Sequence, residues 1–196
     1  METYLVAVPD QDVLERDEEA AVDHARRFLN ALGVQCDSPG TSDTPRRMAE
    51  AYRAMLSSPE FDLTTFPNAE GYDELVIVKD LPVRSVCEHH VLPFTGVAHI
   101  GYVPGDRILG LSKFARVVEM FARRPQIQER LTVQIADWLV ASLAPRGLGV
   151  VIEAEHLCMT MRGVHAAGAT TSTSALRGLL QESPQTRAEF LVGIER

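Results

Sequence analysis

From about Glu15 the apolar residues Val22, Ala25, Leu29 and Leu32 recur at helical spacing, and Gly33 is placed to cap a helix that ends there. The first dozen residues carry no clear pattern. Ser38-Pro39-Gly40 reads as loop, and Thr44-Pro45 as an N-cap followed by proline at the first position of a second helix toward Leu56. Residues 57–68, which hold Pro59 and Pro67, read as irregular. After Gly71 the texture changes to strands. Residues 75–78 and 81–86 lead into the polar run Cys87-Glu88-His89-His90, and residues 94–103 lead out of it. Pro104-Gly105-Asp106 is a turn, with a short apolar run at 108–111. Two helices come next. Leu111, Phe114, Val117, Val118 and Phe121 share one face of the first, which Pro125 ends; Ile127, Leu131, Ile135, Trp138 and Leu139 form the stripe of the second, over about 126–143. Residues 150–161 predict a strand on which Ile152, Ala154, His156, Cys158 and Thr160 share one side, joined by Arg162 if the strand stays regular. Residues 170–174 read as extended, and Ser183-Pro184 starts a last helix.

This order predicts an α+β protein in which an N-terminal helical extension (1–70) precedes a sheet-and-helix domain (71–196). A length of 196 residues, 45% of them hydrophobic, suits one compact domain with such an elaboration. Charge narrows the partners. Nineteen Lys and Arg against 27 Asp and Glu give −8, which disfavours nucleic acid and anionic membranes, so an anionic substrate needs a local basic cluster. No apolar run approaches the roughly 20 residues of a membrane span, and the N-terminus lacks a signal-peptide layout, so a cytoplasmic protein is expected. Three cysteines suit metal ligation or free thiols better than a disulfide framework.

Cys87 and His90 have the C-x-x-H spacing that lets one loop offer two ligands to one metal, and Cys158 is a third candidate far along the chain. A Cys₂His set suits zinc. A fourth ligand is open to His89, His156, Glu88 or water, and only water makes the site catalytic. Two thiolates weaken the ion as a Lewis acid, so nearby proton carriers gain importance, and His89 and His156 stand next to ligands. Either histidine would alternatively support a ligand by hydrogen bonding. At the head of the long helix, Gln128-Glu129-Arg130 places a carboxylate where it can accept two parallel N–H bonds from a guanine edge, or simply face solvent. Ser112-Lys113-Phe114-Ala115-Arg116 opens the other helix with cations three apart, and Arg162 and Arg47 would extend it into a polyphosphate clamp.

Four segments in order resemble the GTP cyclohydrolase I family. They are Ser85-Val86-Cys87-Glu88-His89-His90, the run ARRPQIQERLT over 122–132, Gly110-Leu-Ser-Lys-Phe-Ala-Arg116, and Glu155-His-Leu-Cys-Met-Thr-Met-Arg-Gly163. The resemblance covers the chain from about Thr44 onward. It implies that Cys87, His90 and Cys158 bind catalytic zinc, which activates water for attack at C8 of the purine. It further implies that His156 donates a proton during ring opening and that His89 assists the later ribose steps. Glu129, helped by Gln128, would read guanine, while Ser112, Lys113, Arg116 and Arg162, with Arg47 as a weaker addition, would hold the triphosphate. The implied reaction converts GTP and water to 7,8-dihydroneopterin triphosphate and formate. The implied architecture is the tunnelling fold, an antiparallel sheet backed by two long helices, in a ring-forming homo-oligomer (commonly a decamer) with sites between subunits. Two departures touch the phosphate end: Glu50 stands where many members carry lysine, and 165–169 are blander than usual. The alternatives are a relative on the same fold acting on another pterin or purine precursor, and a zinc-stapled, non-catalytic oligomer that binds guanine nucleotides.

Overall fold

The structure is a computed structural model that describes residues 2–6 and 16–195. In chain order the elements are β1 (Glu2–Val6), α1 (Glu18–Ala31), α2 (Thr44–Met55), β2 (Phe61–Pro67), β3 (Val76–Cys87), β4 (Pro93–Val103), β5 (Arg107–Leu109), α3 (Leu111–Ala122), β6 (Pro125–Gln126), α4 (Gln128–Leu143), β7 (Gly147–His156), α5 (Leu157–Thr160), β8 (Thr170–Gly178), α6 (Leu179–Glu182) and α7 (Pro184–Ile194). They form two compact units, one of residues 9–57 and one of residues 1–8 with 58–196. The division therefore falls at Ser57/Ser58 rather than at 70/71, because β2 pairs with β1 and β5 and belongs to the sheet-bearing unit.

In the helical unit, the Asp17 side chain caps α1 by accepting from the Ala20 N–H, and Gly33 follows the helix in the left-handed region (φ 79°). At α2 the expected cap moves back by one residue. Thr44 is the first helical residue and Asp43 precedes it, without a side-chain cap bond.

The sheet-bearing unit holds an antiparallel three-stranded sheet in the order β1-β2-β5 and a five-stranded sheet in the order β6-β3-β4-β7-β8. Neighbours in the larger sheet are antiparallel, except that two-residue β6 runs parallel to the end of β3. β2 overturns the irregular reading of 57–68: Phe61, Leu63 and Thr65 alternate inward, a period of two that the flanking prolines obscure. The two runs expected at 75–78 and 81–86 are one strand, with a register shift between Val78 and Leu81 and Asp80 at φ 57°.

One face of the larger sheet presents Leu81, Val83, Phe94, Ala98, Ile100, Leu148, Val150, Ile152 and Ala175. Helices α3 and α4 cover this face with Phe114, Val117, Val118, Leu131, Ile135 and Leu139. These stripes match the sequence period, and together they make the main core. On the opposite face Phe190 of α7 packs with Val103, Val151 and Leu180. Its ring lies so close to β4 that a Cβ at Gly101 would meet Phe190 Cδ2 at 2.5 Å, so glycine is required there.

Candidate active site

Cys87 is the last residue of β3 and ends a run of three buried residues, Ser85 to Cys87. The chain then reverses in a turn. Cys87 N–H donates to the Leu92 carbonyl at 2.8 Å, Val91 N–H donates back to the Cys87 carbonyl at 2.8 Å, and Val91 takes φ 54°. That turn exposes His89 and His90 at the rim while Cys87 faces inward.

The third ligand candidate arrives differently from the sequence expectation. β7 ends at His156 and the chain folds into the single turn α5, so Cys158, Thr160 and Arg162 do not continue one strand face. The helical turn swings Cys158 back toward Cys87. Their sulfurs lie 3.9 Å apart, Cys87 Sγ is 3.8 Å from His90 Nδ1, and the three donor atoms all lie within 4.8 Å of one another. Tetrahedral zinc, with bonds of about 2.3 Å to sulfur and 2.0 to 2.1 Å to nitrogen, separates two sulfurs by about 3.8 Å and sulfur from nitrogen by about 3.6 Å. The residues present fit that ion. Burial, then the adjacent Cys87, pushes the Cys158 thiol up from its usual range, while the charge of Arg162 pulls it down. A divalent cation would relieve this unfavourable thiolate pair.

Two of the alternative fourth ligands are engaged elsewhere. Arg130 ion-pairs with Glu88, and its hydrogen bond is the main cause holding that carboxyl below its usual range. His156 is turned toward Gln128, with Nε2 and Oε1 2.8 Å apart. His89 Nδ1 lies 3.9 Å from Cys87 Sγ but outside the mutually close group.

The C-E-H-H turn and the head of α4 are one connected structure. Arg130 Nε donates to Gln126 Oε1 at 2.9 Å, Gln126 Nε2 donates to Phe121 O and Gln134 Oε1, and Glu88 N–H donates to Gln126 O at 3.0 Å. This clamp was not foreseen, although Glu88, Gln126 and Arg130 all stand within the motifs. Phe94 was also missed as a site residue. Its ring stacks on His156 at 4.5 Å between centroids and 10° between planes. Burial depresses the imidazole pKa, and the nearby Glu129 charge opposes the shift.

Glu129 is exposed on the first turn of α4, on the same side as His156. Gln128, expected beside it as a base reader, is instead buried. Its amide nitrogen donates to Ile152 O at 2.9 Å, Thr171 O at 2.8 Å and Thr173 Oγ1 at 3.1 Å, so both ends of the amide are used within the chain. Arg162 is exposed just beyond α5, close enough for its charge to act on Cys158.

Ser112, Lys113 and Arg116 stand in the first half of α3. The C-terminal end of α3 adjoins β3, where Ser85 Oγ donates to Ala122 O at 2.6 Å and Pro125 pairs with Val86. Ser112 stands about 15 Å farther along the helix axis, at roughly 1.5 Å per residue. Arg116 is engaged by Glu119 at 3.1 Å. Arg47 belongs to the helical unit, exposed and 3.8 Å from Asp43.

The family description GTP cyclohydrolase I matches residues 21–195. A protein of Mycobacteroides abscessus named GTP cyclohydrolase 1 is 54% identical over 178 residues, spanning 88% of this chain and 86% of its own. Its namesake in Mycobacterium tuberculosis is 51% identical over 180 residues, spanning 89% of each. Among solved structures, the archaeosine synthase QueF-Like in its apo form aligns with a TM-score of 0.45 at 20% identity, over 53% of this chain and 93% of that one. From the family match and the relatives that share half of its residues, the chain belongs to the GTP cyclohydrolase I family.

Proposed function

We propose that this chain is a zinc-dependent enzyme that converts GTP and water to 7,8-dihydroneopterin triphosphate and formate. The observation that carries the reading is the mutual approach of Cys87, His90 and Cys158, within 4.8 Å, beside an imidazole whose ring is held in place by Phe94 and Gln128. When bound, zinc supplies Lewis-acid activation of water for attack at C8 of the purine. The chain's own residues do the rest. Glu129, exposed and fixed on the first turn of α4, receives the guanine N1–H and 2-amino group as a fork of two charge-assisted bonds. His156 exchanges a proton at the opening imidazole ring, and His89, exposed on the turn after β3, serves the later ribose rearrangement.

Arg162 binds the triphosphate from the metal side, and Ser112, Lys113 and Arg116 bind it from a neighbouring copy. The separation along α3 supports this division. Arg47 adds charge from the helical unit. The assembly is a ring of tunnelling-fold subunits with shared sites, working in the cytoplasm. No helix among the described residues is long and apolar enough to cross a membrane.

Purified protein supplied with zinc and GTP tests the reading. It should release formate and yield a fluorescent pterin after oxidation. Binding of GTP without formate release would leave a nucleotide-binding protein in place of an enzyme.

A further inference from the structure

The Gln128 amide has only one orientation that satisfies its neighbours. Ile152 O and Thr171 O are main-chain carbonyls that can only accept, and both lie within 2.9 Å of the same amide atom. That atom is therefore the NH₂ nitrogen, because an oxygen placed there would face two other oxygens without a hydrogen between them. Thr173 Oγ1 takes a third contact at 3.1 Å. The Gln128 oxygen must then point the other way, toward His156 Nε2 at 2.8 Å. An amide oxygen only accepts, so Nε2 of His156 carries hydrogen.

The rest of the surroundings keep this arrangement from rotating. Gln128 is 2% exposed. Thr132 Oγ1 donates to the main-chain carbonyl of Gln128 at 2.7 Å and meets Thr173 Oγ1, itself a partner of the Gln128 amide, at 2.7 Å. Phe94, fully buried, lies parallel to the imidazole and fixes its plane. The other tautomer would set an unprotonated Nε2 lone pair against the Gln128 oxygen at 2.8 Å, and turning the ring over would replace the hydrogen bond with a Cε1–H contact.

We propose that Gln128 is a positioning residue: its oxygen holds the imidazole of His156 with Nε2–H directed toward it, so that Nδ1 is the nitrogen that meets the substrate. This rests on the enzymatic reading above, and it replaces the expected role of Gln128 at the guanine base. It also accounts for a glutamine in a buried position next to an exposed glutamate. Glu129 serves the base, and Gln128 serves the histidine.

The decisive readout is the ¹⁵N spectrum of zinc-loaded protein labelled at histidine, taken without GTP by solid-state NMR so that assembly size does not matter. The His156 signals are assigned by their loss in His156→Asn. The expected result is a protonated Nε2 and an unprotonated Nδ1; a protonated Nδ1 with a bare Nε2 overturns the proposal. Formate release from the same preparation separates the two layers. Formate with the wrong tautomer removes only the role of Gln128, whereas the expected tautomer without formate removes the enzymatic reading.

Kinetics supply an independent arm. Gln128→Met should lower kcat by about 10-fold or more while KM for GTP stays within about threefold, and should cost nothing further in a His156→Ala background. A raised KM with kcat kept would return Gln128 to substrate reading and overturn the proposal. If Gln128→Met does not fold, the wild-type spectrum alone decides.

Discussion

Cys158 has no regular strand to place it; a single helical turn brings its sulfur 3.9 Å from that of Cys87. Replacing it removes one of three soft donors, so Cys158→Ser should weaken zinc binding by more than the 10- to 100-fold typical of losing a residue that merely supports a ligand. Metal analysis after dialysis against a zinc buffer measures this, and full occupancy in the variant would take Cys158 out of the ligand set. Glu129 makes a different kind of contribution, because it is exposed and touches no donor atom of the metal group. Losing two bonds to a charged acceptor should raise KM for GTP by about 100-fold in Glu129→Ala, while inhibition by inorganic triphosphate changes little. Equal weakening of both ligands would reject base reading by this residue.

The elements show where pattern reading works and where it stops. Helices α3 and α4 and strands β3, β4 and β7 follow their apolar periods, because each buries one face against the same core. The candidate metal ligands were legible as residue types and spacing, and their approach to one another was expected. The route by which they meet was not, since it depends on β7 ending at His156 and on a helical turn, not a continued strand, carrying Cys158. β2 was missed because Pro59 and Pro67 outweigh the alternation of Phe61, Leu63 and Thr65. The burial of Gln128 was hidden for a similar reason. A polar residue beside Glu129 on a helix reads as exposed, and only the carbonyls of Ile152 and Thr171 reveal that it points inward. At the other end of α4, Ala144 closes the helix with φ 44°, a conformation that disfavours side chains. Ala144→Gly should therefore raise stability by about 0.5 to 1 kcal/mol, read as a higher urea midpoint. On the far face of the sheet, Phe190→Ala should cost about 3 to 5 kcal/mol, because the ring fills the space over Gly101 and Gly149.

At the scale of the whole molecule, the metal group adjoins one end of α3 and the basic residues stand toward the other, and complementation tests the shared site proposed above. Lys113→Ala lacks the phosphate half and Cys158→Ser lacks the metal half, so each variant alone should be nearly inactive. Co-assembled in equal amounts, they should regain about a quarter of wild-type activity, the fraction of sites in which both intact halves meet. No recovery in verified mixed assemblies would place both halves in one subunit. The global charge of −8 makes the local basic residues matter more, since the field of the rest of the protein repels a triphosphate.

The most direct measurement is formate release from GTP as a function of zinc bound per chain, titrated into metal-stripped protein. Activity should rise in proportion to zinc and level off at one ion per chain, and should vanish again with a chelator. Undiminished formate from metal-free protein, or none from protein carrying a full zinc complement, would contradict a hydrolytic centre built on Cys87, His90 and Cys158.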